Sequence, residues 1–171
     1  MKKIVTTIIL LSGVLMLFAQ TPVDRVFDKY AGKDGYTTVY ISSYMFKLMS
    51  NIETSDPDYE EFKKASSGIE SIRILAQEGS SGPGFARELL DILPRSEYQE
   101  LMVVKEENEE VLFLAREEQG KISEFLLIVD SGGEDALIVI TGDIDLESIS
   151  SLANSMDMPA MKNLEELEEN Q

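Results

Sequence analysis

The sequence predicts an α+β domain, with a mainly antiparallel sheet that ends in a four-strand meander and helices packed mostly on one face. Three observations carry this. Residues 22–93 alternate segments of helical apolar spacing with two runs of β-branched and aromatic residues. From Tyr98 to Thr141 four strand-like runs follow one another across turns of a few residues, too short for anything but antiparallel hairpins. At 171 residues and 43% hydrophobic, the chain can build one domain around a core of its own.

Taken in order, Pro22 to Ala31 reads as a short helix, with Val23, Val26, Phe27 and Tyr30 at helical spacing, Pro22 near its start and Gly32 after its end. Gly32-Lys-Asp-Gly35 is a turn. Tyr36 to Ser42 alternates Tyr36, Thr38 and Tyr40 with Thr37, Val39 and Ile41, the pattern of a strand. Ser43 to Ile52 places Met45, Phe46, Leu48, Met49 and Ile52 on a helix. Thr54-Ser-Asp-Pro57 breaks that helix and opens another from about Asp58 to Ser66.

Gly68 introduces a second strand, Ile69 to Gln77. A loop from Gly79 to Gly84 leads to a helix from Phe85 to Leu93 that Pro94 stops. The meander comprises Tyr98 to Lys105, Val111 to Arg116, Ile122 to Val129 and Ala136 to Thr141. Its turns are Glu106-Glu-Asn-Glu109, Glu118-Gln-Gly-Lys121 and Ser131-Gly-Gly-Glu134. Phe125-Leu-Leu-Ile-Val129 is apolar throughout, which predicts a central strand covered on both faces. Ile144 to Met156 reads as a closing helix with Leu146, Ile149, Leu152 and Ala153 inward and Asp143 or Asp145 as its cap.

The two ends are different in kind. Residues 1–19 read as a secretory signal peptide: Lys2 and Lys3 precede a mostly apolar run from Ile4 to Phe18, and Ala19 supplies a small residue for cleavage. No Cys lies near Ala19, which excludes lipoprotein processing. Residues 20–158 form the single α+β domain, and 159–171 an acidic C-terminal tail rich in Glu. The expected location is therefore the periplasm or the medium beyond, with no membrane span after cleavage.

Charge and missing residue types narrow the chemistry. The chain has 15 basic and 32 acidic residues, a net charge of −17, and cleavage would remove only Lys2 and Lys3, taking it to −19. Such a balance argues against gripping a nucleic-acid backbone, which needs clustered Lys and Arg. Without Cys there is no disulfide, thiolate nucleophile or zinc–thiolate site; without His there is no Ser-His-Asp triad and no imidazole ligand. No catalytic, cofactor or metal residue is assigned, and no cofactor is implied.

Several segments together carry a likeness: Phe27-Asp-Lys-Tyr30 before the glycine turn, Val39-Tyr-Ile-Ser-Ser-Tyr-Met-Phe46, Tyr98-Gln-Glu-Leu-Met-Val-Val-Lys105, Glu124-Phe-Leu-Leu-Ile-Val129 and Ile140-Thr-Gly-Asp-Ile-Asp-Leu146. In their order and spacing, from about Pro22 to Met156, the chain resembles the exported bacterial family known as domain of unknown function DUF 4252. The resemblance implies an exported α+β domain of certain Gram-negative bacteria, without assigned catalytic residues. It also implies a setting near extracytoplasmic sigma factors, hence envelope signalling.

Each local motif has a simpler account beside it. Gly79 and Gly84 have the outer spacing of a phosphate loop, but Phe85 and Ala86 stand where Lys and a hydroxyl are needed, so a plain connection is expected. Tyr59 and Lys63 share a reductase-like spacing without any dinucleotide fingerprint. The acids of Asp130-Ser-Gly-Gly-Glu-Asp135 and Asp143-Ile-Asp-Leu-Glu147 could serve Ca²⁺, yet neither follows the EF-hand pattern. Paired carboxylates leave a carboxylate-based hydrolase as a further alternative. Met156, Met158 and Met161 offer thioethers to Cu(I), but packing explains them as well.

What remains is recognition by shape. Tyr40, Tyr44, Met45, Phe46 and Met49 form the candidate partner surface, since Met and Tyr are over-used at interfaces. The same helical spacing describes a stripe that belongs to the core. An open edge of the sheet could instead accept a partner strand. The sequence thus points to a non-catalytic binding or regulatory protein of the cell envelope, with an envelope protein as the possible partner.

Overall fold

The computed structural model describes residues 20–51, 57–79 and 84–144. The elements run α1 (Pro22–Tyr30), β1 (Tyr36–Ser42), α2 (Ser43–Ser50), α3 (Pro57–Ser66), β2 (Ile69–Gln77), α4 (Ala86–Ile92), a 3₁₀ turn (Arg95–Glu97), β3 (Gln99–Lys105), β4 (Glu110–Glu118), β5 (Lys121–Asp130) and β6 (Ala136–Ile144). The segments expected as the signal peptide, the closing helix beyond Ile144 and the acidic tail lie outside the described residues, as do Met156, Met158 and Met161.

α1 begins where its sequence says it should. Thr21 accepts from the Asp24 amide at 3.1 Å while the Asp24 carboxylate takes the Thr21 amide, a reciprocal cap, and Pro22 occupies the first turn. Val23, Val26, Phe27 and Tyr30 are all buried. Gly32 and Gly35 both take positive φ, +71° and +81°, in the turn that leads into β1.

All strand pairs are antiparallel, in the order β1-β2-β6-β5-β4-β3. The meander β3–β6 is therefore as predicted, and the first hairpin-like pair is laid against its last strand. The α+β class and the antiparallel sheet agree with the sequence.

The helices are more evenly divided between the faces than predicted. α1 and α4 cover one face, where Val26, Phe27, Phe85 and Leu89 meet Leu112, Leu114, Leu126, Ile128, Leu137 and Val139. α2 and α3 lie on the other, where Phe46 and Phe62 join Ile72, Phe113, Phe125, Leu127, Ile138 and Ile140. The physical reason is in the inner strands. Successive residues of a strand point to opposite faces, so a run such as Phe125 to Val129 places apolar side chains on both, and neither can be left bare. The prediction that this strand is central and doubly covered agrees.

β6 is longer than expected. It continues past Thr141 to Ile144, which pairs with Ile122 rather than opening a helix. Gly142, with φ +145°, crosses the backbone at Gly68 so closely that a Cβ on Gly142 would lie 2.2 Å from the Gly68 carbonyl oxygen, and one on Gly68 2.0 Å from that of Asp143. Glycine at both positions permits this close crossing, and the strand goes on past it.

Candidate functional site

β1 has the composition of a strand and carries within its own residues none of the usual protection of an edge. Its residues, Tyr36-Thr-Thr-Val-Tyr-Ile-Ser42, are β-prone and uncharged. It pairs with β2 from Tyr36 opposite Gln77 to Ser42 opposite Ser71 without a bulge, and among the described residues no strand lies on its outer side. Edge strands are normally blunted by charge, Pro, bulges or shortness, because their free N–H and C=O groups invite another strand. The opposite edge shows such protection: β3 carries Glu100 and Lys105 and breaks register between Glu100 and Met102.

Side-chain alternation divides the predicted surface between the faces. Tyr36 packs against Tyr30 and Phe85 on the α1 side, with ring centroids 5.0 and 6.3 Å away, and Tyr40 shares its parity. Ile41 joins the Phe46 cluster on the α2 side, which puts Val39 on that side as well. Tyr40 is 66% exposed and Val39 38%. On α2, Tyr44 and Met45 project into solvent at 66% and 51% exposure, with Leu48 beside them at 49%.

Phe46 belongs to the core. It is 7% exposed and anchors α2 against Ile72 and Ile138, because on so short a helix only one stripe can face the sheet. Met49 is half-buried, and its carbonyl accepts the Tyr59 hydroxyl, tying α3 to α2. Of the predicted surface, Tyr40, Tyr44 and Met45 are thus the exposed members. Val39 and Leu48 are exposed on the same side as Tyr44 and Met45 and stand outside the candidate set. The four-residue step from Tyr44 to Leu48 was the available signal.

The other candidate groups are engaged in holding the fold together. Asp135 is 1% exposed; its carboxylate accepts from the Ala86 amide at 2.8 Å and the Ser131 amide at 3.2 Å. It therefore occupies the start of α4, the place a phosphate would need, and Gly84 is small because a Cβ there would meet the same carboxylate at 2.5 Å. Asp130 pairs with Arg87 at 2.6 Å. Among the described residues no group of three or more acids is arranged to hold a metal ion.

Glu124 is 3% exposed and accepts the Tyr98 hydroxyl at 2.6 Å, with Arg116 Nη2 at 3.4 Å. Burial first, then the adjoining carboxylate, pushes the Tyr98 phenol far above its ordinary value. This cluster fastens the start of β3 across to β5. An open cleft of about 580 Å³ lies where β6 leaves Gly68, lined by Ser67, Glu117, Lys121 and Asp143, but its Lys121 and Asp143 are paired with each other. No helix among the described residues is long and apolar enough to cross a membrane.

No curated protein and no solved structure matches the chain. A family model does: that of the domain of unknown function DUF4252 matches residues 30–152, from the last residue of α1 through the whole sheet. The exposed edge, the helix that follows it and the inner strands all fall within that span, and the chain belongs to the DUF4252 family.

Proposed function

We propose that this is an exported, non-catalytic binding or regulatory protein of the cell envelope, and that its docking surface is the β1 edge with the adjoining face of α2. The observation that carries this is the coincidence of an uncharged, unbulged open edge with exposed Val39, Tyr40, Tyr44, Met45 and Leu48. Apolar side chains gathered at an open main-chain edge offer both halves of strand addition: hydrogen bonds for affinity and side-chain contacts for selectivity. Export is supported by Lys2-Lys3, the apolar run to Phe18 and Ala19. The non-catalytic reading is supported by the lack of His and Cys and by the structural duties of Glu124, Asp130 and Asp135.

A photo-reactive residue placed at Tyr44 or Met45 of the tagged full-length chain, expressed in its native host, tests the surface. Discrete protein adducts are expected from these positions and not from Glu107 in the β3–β4 turn. Adducts from Glu107 alone, or from none of the three, would overturn the reading.

A further inference from the structure

Resting on that docking surface, we propose that the strand completing the β1 edge is β1 of a second copy of this chain. The two copies pair antiparallel about a two-fold axis, joining two six-stranded sheets into one of twelve strands.

The strand is suited to meet itself. Centred on Val39, self-pairing sets Val39 opposite Val39, Thr38 opposite Tyr40, Thr37 opposite Ile41 and Tyr36 opposite Ser42. Every pair is neutral and most join β-branched or aromatic residues, the favourable cross-strand combinations. A like-charged pair anywhere in this register would oppose it, and there is none.

The distribution of charge selects this partner over a cationic one. The chain carries −17, yet between Lys33 and Lys47 the only acid is Asp34, against two lysines. From Glu97 to Glu118 there are eight Glu against Lys105 and Arg116. A quarter of the chain's 32 acids thus lies in the stretch around β3, five strands away from the join. At ~4.8 Å per strand that is roughly 24 Å, beyond a Debye length of ~8–10 Å at physiological salt. A basic partner would find its complement at the wrong edge. A second copy meets, along β1 and α2, a segment with one acid against two lysines, and keeps the Glu-rich β3 edge at the far end of the combined sheet.

The side chains supply area that two strands alone lack. A two-fold perpendicular to the sheet leaves both α2 helices on one face, flanking the join with Val39, Tyr44, Met45 and Leu48, and both Tyr40 rings on the other. At their exposures these five side chains present on the order of 500 Å² per copy, taking ~150–250 Å² for a whole aromatic. With all of that area covered, the pair would bury ~1,000 Å², the size from which an interface becomes specific, before the main chain is counted.

Sedimentation equilibrium on the signal-cleaved chain tests this, with circular dichroism to monitor folding. The native chain is expected to sediment at twice its monomer mass. Val39→Lys, which puts like charges face to face, is expected to halve that mass, while Val103→Lys on β3 leaves it unchanged. A monomeric native chain, or a dimer that survives Val39→Lys, would overturn the assignment. Because Val39→Lys sits in a strand, Val39→Cys provides a second measure: the native chain has no Cys, and antiparallel partners fall within disulfide reach. It is expected to form an inter-chain disulfide on mild oxidation where Val103→Cys does not, and equal crosslinking at both positions would overturn the assignment. A monomer whose Tyr44 or Met45 captures a different protein in cells removes the second copy and leaves the docking surface standing. A monomer that captures nothing from those positions removes both.

Discussion

The carboxylate of Asp135 receives two backbone amides from within the protein, those of Ala86 and Ser131, at 2.8 and 3.2 Å. Deleting it would strand a buried donor at the start of α4 and a part-buried one in the β5–β6 turn. Asp135→Ala is therefore expected to cost about 2–4 kcal/mol, read as a lowered urea midpoint with an unchanged slope. Two other carboxylates set the response to acid. The Asp24 carboxyl is pushed up by burial but pulled further down by Arg73 and Thr21, ending below 3.8; Lys29 and Tyr30 hold Glu88 below 4.5. A depressed pKa contributes stability that is complete above the ordinary value and is lost as pH falls through the folded one. Thermal stability is accordingly expected to fall as pH drops below about 4.5, and more shallowly in Glu88→Gln, as calorimetry across pH would register. Sequence could not foresee these roles. Asp135 reads as a turn residue because its partner Ala86 is distant in the chain, and Phe46 cannot be told from Tyr44 by spacing until the direction of the sheet is known.

At the level of elements, the hairpin turns and the alternation between them made the meander legible. Its first-to-last order is dictated by connections too short to cross a sheet. Two things were not legible. Nothing in the local sequence says that β2 pairs with β6, since that contact joins segments separated by about half of the domain. Nor does it say that β6 runs on past Thr141, because the close approach of the Gly142 and Gly68 backbones leaves no trace in hydrophobic periodicity. One turn carries a measurable strain. Gln119 and Gly120 connect β4 to β5 with φ of +56° and +82°, the positive pair that a two-residue hairpin demands, and Gln119 is the only non-glycine described with positive φ. Gln119→Gly is expected to stabilise the protein by about 1 kcal/mol, detectable as a higher melting temperature.

Across the whole molecule, a charge of −17 disfavours the compact state through self-repulsion, most strongly around the Glu-rich β3–β4 turn. Monovalent salt is expected to raise the melting temperature, steeply at low ionic strength and then levelling as the Debye length shortens; a flat response in scanning calorimetry would contradict this. The strand order has another consequence, in time rather than in space. β2 lies between β1 and β6, so the pair that is made first, β1 with β2, has no inner neighbour until residues 136–144 arrive. A chain built this way cannot close its core from the front.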